Sequence, residues 1–244
     1  MKPHTSFIVC GTQRSGSGLL CEALWNTGLA GRPDEYFLPD IEKDYTEIWE
    51  TSTYVEYFDR VIDEGTTPNG VFGAKIMWDQ VGYFEKKVLE IPRYGHLKTP
   101  DFMGSIFPNL RYIWITRRDK VRQAVSFWKR IQTGIHSWYE DEPPRYARTL
   151  EFDFEEIDRL VHKFHQSDFY WQSYFRTIGV SPFRVIYEED LELGYEDVIR
   201  RILCHLAVLI PDDLTFQAKR RKQGDELSEM FVRLYQDTVQ GKKE

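Results

Sequence analysis

One stretch decides the fold of this chain: Cys10-Gly11-Thr12-Gln13-Arg14-Ser15-Gly16-Ser17-Gly18-Leu19-Leu20. The apolar run Phe7-Ile8-Val9 precedes it, and apolar residues at helical spacing follow it. A strand, a turn of small residues and a helix N-terminus in this order form a cradle for phosphate, because backbone N–H groups and the helix dipole both face the anion. The stretch therefore predicts a site for a phosphate-bearing ligand.

The turn differs from the loop of ordinary ATP-hydrolysing proteins. The spacing of Gly11 and Gly16 fits a phosphate loop, but Ser17 stands where those proteins have a lysine. Arg14 is the one cation in the turn. We therefore expect chemistry other than ordinary ATP hydrolysis at this site.

The rest of the chain alternates between strand and helix patterns. Buried parallel strands are predicted by apolar runs at residues 7–10, 71–76, 112–116 and 183–187. Helical patterns cover residues 17–27, 118–132, 154–178, 195–207 and 226–239. This alternation predicts an α/β fold with a P-loop-type, doubly wound parallel sheet flanked by helices. We expect residues 1–244 to form a single domain, with an aromatic-rich insertion over residues 32–66 that fits neither a strand nor a simple helix.

Composition limits the function classes that the chain can belong to. A net charge of −7 over 244 residues argues against nucleic acid or an anionic membrane as partner. The three cysteines, Cys10, Cys21 and Cys204, have no metal-ligand or redox spacing and fit a reducing compartment. No run approaches the roughly 20 apolar residues of a membrane span, and no apolar signal segment is seen. We expect a cytoplasmic protein whose anion site depends on locally concentrated arginines.

Two arginines follow the third predicted strand, at the sheet edge where ligands of such folds bind. Arg117 and Arg118 come directly after Thr116, and a helix begins at Asp119. Ser126 lies eight residues after Arg118, a rotation of about 800° that leaves both within about a quarter-turn of one helix face. This geometry permits a shared ligand without requiring one. A solvated basic helix face is the alternative interpretation.

Several of these motifs resemble those of sulfotransferases that use 3′-phosphoadenosine 5′-phosphosulfate (PAPS). The loop Gln13-Arg14-Ser15-Gly16-Ser17-x-Leu19-Leu20 is similar to their 5′-phosphosulfate loop, and Tyr187-Glu188-Glu189-Asp190-Leu191 resembles a strand-terminal element of that superfamily. The segment Gly31-Arg32-Pro33-Asp34-Glu35-Tyr36-Phe37 resembles one found in the bacterial trehalose 2-sulfotransferase and lipopolysaccharide-sulfotransferase-like family.

The resemblance implies an activity and a set of site residues. The activity is transfer of a sulfuryl group from PAPS to a hydroxyl of a carbohydrate or glycolipid, with Glu35 as general base, Arg14 as a second catalytic residue and no metal. The implied donor-binding residues are Arg14, Ser15, Gly16, Ser17, Gly18, Leu19, Arg118, Ser126, Arg221 and Lys222. The implied acceptor-binding residues are Gln13, Pro33, Asp34, Glu35, Tyr36, Phe37 and Trp49. A homodimer is a further expectation from the resemblance.

The residues suit this chemistry independently of the family. Sulfuryl transfer shifts negative charge onto the leaving phosphate, which Arg14 and the N–H groups of residues 15–18 are positioned to stabilise. A carboxylate such as Glu35 can accept the proton that the attacking hydroxyl loses. The sequence departs from the family at Gly18, where many members have a threonine, so one hydroxyl contact to the donor is missing.

Two other functions stay open on the sequence alone. A metal-dependent small-molecule kinase would use Glu188 or Asp190 near the ion, because these acidic residues follow the fourth predicted strand. A catalytically silent nucleotide-binding protein would bind the donor product without transfer, and Gly18 favours this alternative. Without the resemblance, Glu35 would be interpreted as a solvated loop carboxylate. The identity of the acceptor is not encoded in any motif.

Overall fold

The computed structural model describes residues 2–134, 149–216 and 225–242. Within these ranges one sheet contains the strands β1 (Thr5–Gly11), β2 (Val71–Met77), β3 (Leu110–Thr116) and β4 (Phe183–Ile186). The strands lie in the order β2-β1-β3-β4, and every neighbouring pair is parallel. The predicted strands and the predicted α/β fold class are therefore confirmed.

Helices flank the sheet, and the five that the sequence predicts end within a few residues of the predicted bounds. In the described ranges they are α1 (Ser17–Asn26), α2 (Pro39–Ile48), α3 (Tyr54–Glu64), α4 (Val81–Leu89), α5 (Phe102–Ile106), α6 (Lys120–Thr133), α7 (Phe154–Thr177), α8 (Glu196–His205) and α9 (Glu226–Gly241). A short 3₁₀ turn, Trp78–Gln80, follows β2, and a π-helical turn, Tyr187–Leu191, follows β4. The sequence patterns did not predict α4 and α5.

The insertion over residues 32–66 contains two helices, which corrects the prediction that it fits no simple helix. Helix α3 begins where Thr53 Oγ1 accepts a hydrogen bond from the N–H of Glu56 at 3.2 Å. It buries Tyr57, Phe58 and Val61. Helix α2 has no fully buried residue.

Two layers of side chains cover the sheet. On one face, Phe72 and Ile76 of β2 pack with aromatic residues of the insertion and with Trp171 of α7. On the other face, Val9 and Ile113 pack against α1 and α8. Every residue of β2 is buried, including Lys75. Burial on both faces is typical of parallel sheets and leaves the carboxyl ends of the strands as the place for a site.

A third apolar cluster joins α6, α7 and α9 beside the sheet. Ala124 and Val125 of α6 pack there with Phe164 of α7 and Phe231 of α9. This packing holds α6 next to the turn that follows β1. Within the described ranges, no helix is both long enough and apolar enough to cross a membrane.

Candidate active site

The turn between β1 and α1 lies at the carboxyl edge of the sheet. Arg14 has φ 62° and Gly16 has φ 93°, so the backbone enters the left-handed region twice. A Cβ atom on Gly16 would lie 2.5 Å from Cδ2 of Tyr187. Glycine is therefore required at this position both by its backbone conformation and by the close packing of the 187–191 turn.

The N-terminus of α1 is open to an anion. Its cap, Gly16, offers no side chain, and no acidic residue lies in its first turn. The helix geometry leaves the N–H groups of residues 17–19 without an acceptor inside the helix, because the first intrahelical bond runs from Leu20 N–H to Gly16 O. Within the described part of the chain, Oγ of the fully buried Ser15 also has no hydrogen-bond partner. A phosphate-type oxygen would supply the acceptor that these donors lack.

Helix α6 holds this loop from one side. Gln123, fully buried, donates hydrogen bonds to Oγ1 of Thr12 at 2.7 Å and to the carbonyl oxygen of Gln13 at 2.6 Å. Its Oε1 accepts from Nζ of Lys120 at 3.2 Å. Lys120 in turn forms a buried ion pair with Asp168 of α7 at 2.6 Å. Because buried polar groups are stable only when paired, this network fixes the shape of the loop.

Arg14 is turned toward α6, where its Nε donates to Oγ of Ser126 at 2.9 Å. Lys129 lies three residues further along the same helix and pairs with Asp225 at 2.6 Å. Burial lowers the pKa of Lys129, and the positive charge of Arg14 lowers it further against the opposing effect of Asp225. Two cations are thus close enough to repel each other, and a bound anion would relieve that repulsion.

The side chains of Arg118 and Ser126 have different partners in the structure. The Arg118 guanidinium, 64% exposed, forms an ion pair with Glu189. The backbone N–H groups of Arg118 and Asp119 donate to the Glu188 carboxylate at 3.0 and 3.1 Å. Burial raises the pKa of Glu188, but these backbone bonds outweigh it, and the net pKa lies below its usual value. Glu188 therefore ties the end of β3 to the turn after β4.

The other acidic residue considered for a metal-dependent alternative is also engaged. Asp190 Oδ2 accepts from the N–H of Ile186 at 2.7 Å, and its Oδ1 pairs with Arg201. Among the described residues, no group of three or more His, Cys, Asp or Glu side chains is arranged to hold a metal ion.

Glu35 lies beside the edge strand β2. The carbonyl oxygen of Asp34 accepts from the N–H of Lys75 at 2.9 Å, which fixes the segment to the strand. Nζ of Lys75 lies 3.3 Å from Oε2 of Glu35, and Nε2 of Gln80 donates to Oε1 at 3.3 Å. The Glu35 side chain is 25% exposed, whereas that of Lys75 is 9% exposed. The carboxylate is thus oriented by two partners and still reaches solvent.

The other residues of this segment mainly support the loop. Both carboxylate oxygens of Asp34 are used locally, one by the next backbone N–H and one by the hydroxyl of Tyr45 at 2.9 Å. Tyr36 and Phe37 lie in the core, so any contact of these two residues with an acceptor would come mainly from their backbone. Their apolar rings gain more from burial than from a surface position.

Three further predicted residues are found at the margins of the site. Trp49 stacks on Tyr45, with ring centroids 4.4 Å apart. Pro33 lies against Gly73, where an added Cβ would come within 3.2 Å of its ring. Leu19 packs against the core between α1 and α8, so any donor contact would come from its backbone. Arg221 and Lys222 lie outside the described residues.

Gln13 faces a carboxylate that the sequence patterns did not indicate. Its Nε2 donates to both oxygens of Asp79, at 2.9 and 2.8 Å, and Lys163 of α7 donates to the same carboxylate at 3.1 Å. Lys75 was also missed, although a lysine inside an otherwise apolar predicted strand is a usable signal, since lysine is almost never buried unless paired. No sequence pattern of this kind marks Gln123 as a residue that supports the site.

A parallel α/β sheet whose first strand leads through a tight turn into the N-terminus of a helix defines a protein with a P-loop-like fold. The model of the Stf0 sulphotransferase family matches residues 6–238, and the chain belongs to that family. The resemblance to trehalose 2-sulfotransferase and its relatives is therefore confirmed.

Similar proteins agree with this assignment. The chain is 29% identical over 206 residues to the trehalose 2-sulfotransferase of Mycobacterium tuberculosis (strain Erdman), covering 74% of this chain and 76% of the relative. It is 30% identical over 213 residues to the trehalose 2-sulfotransferase of Mycolicibacterium smegmatis, covering 77% and 79%. The crystal structure of a sulfotransferase from Alicyclobacillus acidocaldarius matches with a TM-score of 0.50 at 17% identity, covering 97% of this chain and 92% of that one, and so shares the fold.

Proposed function

We propose that this member of the family transfers a sulfuryl group from PAPS to a hydroxyl of a carbohydrate or glycolipid, with Glu35 as the general base. One observation carries the proposal. Asp79 accepts a hydrogen bond from Gln13 of the anion loop, the turn of residues 12–16 between β1 and α1. The next residue, Gln80, donates a hydrogen bond to Glu35. A single short turn thus couples the loop to the carboxylate. The names of the two mycobacterial relatives support a sugar as acceptor.

The loop residues suit the phosphosulfate end of the donor, which supplies an activated sulfuryl group. The N–H groups of residues 15–18 and the hydroxyl of Ser15 would hold its oxygens. Arg14 would stabilise the negative charge that builds up on the leaving phosphate. Because Gly18 has no hydroxyl, the contact that many family members make there with a threonine would be left to the backbone and to Ser17.

We assign the 3′-phosphate of the donor to Arg118 and Ser126, and the family resemblance adds Arg221 and Lys222 as donor-binding residues. For this, Arg118 must exchange Glu189 for the phosphate. An exposed ion pair contributes only about 0–1 kcal/mol, so a doubly charged phosphate can replace it.

Glu35 takes the proton from the acceptor hydroxyl as the hydroxyl oxygen bonds to sulfur. The bond between sulfur and the bridging oxygen of the 5′-phosphate breaks at the same time. The products are a sulfate ester, adenosine 3′,5′-bisphosphate and protonated Glu35, which returns its proton to solvent through its exposed edge. Lys75 and Gln80 keep the carboxylate oriented during this step.

The test uses the purified chain with sulfur-35-labelled PAPS and a panel of trehalose, glucose, maltose and a glycolipid. We expect labelled sulfate on at least one sugar, with equimolar release of adenosine 3′,5′-bisphosphate. Calorimetric titration should detect binding of this bisphosphate in the absence of metal. Binding of ATP–magnesium but not of the bisphosphate would favour a kinase instead. Binding of the bisphosphate with no transfer to any acceptor would favour a catalytically silent protein.

A further inference from the structure

A polar cluster formed by Gln13, Asp79 and Lys163 has unused hydrogen-bonding capacity at the surface. A carboxylate offers about four acceptor positions, and three are used by Gln13 and Lys163. The Lys163 ammonium has three donors, of which Asp79 takes one. Both side chains are more than one-third exposed. The cluster can therefore donate to and accept from a bound molecule at the same time.

This cluster lies between the loop and the proposed base. On one side, Nζ of Lys163 is 5.9 Å from the ring centroid of Phe127, the residue that follows Ser126. On the other side, Asp79 directly precedes Gln80, which holds Glu35. Because Asp79 and Gln80 are adjacent, a molecule with one hydroxyl at Glu35 needs to span only this short turn to place another hydroxyl at Asp79.

An aromatic surface borders the same cluster. Trp78, next to Asp79, stacks on Tyr170 with ring centroids 5.3 Å apart. Tyr170 lies seven residues after Lys163, about two helical turns, so both are on the same face of α7. Its side chain is partly exposed. Polar groups beside an aromatic face suit a sugar, whose hydroxyls need hydrogen bonds and whose C–H face packs on rings.

We propose that Asp79 and Lys163 bind acceptor hydroxyls other than the one that is sulfated, with Tyr170 against the apolar face of the sugar ring. The inference rests on the proposed function and deepens it. It makes the acceptor a polyhydroxylated sugar of at least one full ring, and it makes these residues determinants of which sugar binds.

The test measures steady-state kinetics with PAPS and trehalose. Asp79→Ala and Lys163→Met should each raise the KM for trehalose by roughly tenfold, the effect of losing one charge-assisted hydrogen bond. In Lys163→Met the affinity for the bisphosphate should stay within about twofold, because Lys163 bonds to Asp79 at the outer side of the cluster. Asp59→Ala and Lys242→Met are matched controls, since they break exposed ion pairs with Arg93 and Glu155 elsewhere. Variants at Asp79 and Lys163 that behave like these controls overturn the inference.

A second experiment distinguishes a direct contact of Asp79 with the sugar from an indirect effect in which Asp79 only positions Gln13. Asp79→Ala is repeated in a Gln13→Ala background, where a direct contact with the sugar still raises KM. Disappearance of the effect would mean that Asp79 acts only through Gln13, and this would overturn the inference. If trehalose is not turned over, the sugar of the panel that is turned over replaces it. A wild-type chain that sulfates no sugar contradicts the proposed function itself, whereas normal Asp79 variants contradict only the present inference.

Discussion

Nζ of Lys75 lies 3.3 Å from Oε2 of Glu35, so a lysine from a buried strand is paired with the carboxylate proposed as the base. The strand β2 is the edge of the sheet, and the segment carrying Glu35 runs along it. The sheet edge therefore sets the direction of the carboxylate. The position of Glu35 depends on the fold and not only on its own loop.

Glu35→Gln should keep donor binding but lower kcat by roughly 10²- to 10⁴-fold, because an amide cannot accept the proton of the attacking hydroxyl. The measurement is turnover with labelled PAPS, together with the affinity for adenosine 3′,5′-bisphosphate. Glu42→Gln, in the same insertion and engaged by Lys87 and Tyr83, is the control. A turnover within threefold of wild type would remove Glu35 from the mechanism.

Lys75→Met should lower kcat by about 10- to 100-fold, as expected for the loss of a charge-assisted contact worth about 1.5–3 kcal/mol. Donor affinity should change less than kcat, since Lys75 pairs with the carboxylate that is proposed as the base. In a Glu35→Gln background the same substitution should have little further effect, because both residues act on one proton transfer. Full additivity of the two losses in kcat is the result that argues against this pairing.

Arg118 and Glu189 should have opposite effects on nucleotide binding. Arg118→Ala should weaken adenosine 3′,5′-bisphosphate by about 1.5–3 kcal/mol, the range for charge-assisted hydrogen bonds. Glu189→Ala should strengthen it slightly, since it frees the guanidinium from its ion pair. Binding of 5′-AMP, which lacks the 3′-phosphate, should change in neither variant. Equal losses for both nucleotides in Arg118→Ala would contradict the assignment.

Features with a local sequence pattern could be predicted from the sequence. The anion loop and four strands depend on short runs of small or apolar residues, and they are found where predicted. Helix α2 was missed because it buries no residue completely, whereas α3 was missed although it buries Tyr57, Phe58 and Val61 at helical spacing. Tyr36 and Phe37 were expected beside the acceptor because they adjoin Glu35, and their hydrophobicity places both side chains in the core.

The supporting residues of the site could not be predicted, because they depend on contacts between distant segments. Gln123 reaches Thr12 across 111 positions, and Lys163 reaches Asp79 across 84. Such contacts follow from the strand order and from the packing of α6 and α7 beside the loop. Apolar periodicity identifies strands and helices but does not fix their neighbours.

The stability of the chain should depend on pH through Glu188. Its pKa is lower in the folded chain than the usual 4.5, so folding favours its charged form. Its contribution to the free energy of unfolding is therefore present above that value and is lost as the pH falls below it. Denaturant unfolding of wild type and Glu188→Gln should show a stability gap at about pH 6 that narrows by about pH 3.5. A gap that is constant or widens would contradict this assignment.

Gln123→Met should weaken both the fold and the anion site. The substitution keeps side-chain volume but leaves Oγ1 of Thr12, the carbonyl of Gln13 and Nζ of Lys120 short of a partner. Each buried group left unsatisfied costs about 1–3 kcal/mol, so we expect at least that loss in the free energy of unfolding. Affinity for adenosine 3′,5′-bisphosphate should fall as well, because the loop is no longer held in its binding shape.

Gln132→Met is the matched control, since Gln132 lies on the same helix but bonds to the backbone of Glu151 at the surface. Urea unfolding and calorimetry on both variants test this, and a Gln123→Met chain with normal bisphosphate affinity would show that the loop holds its shape without α6.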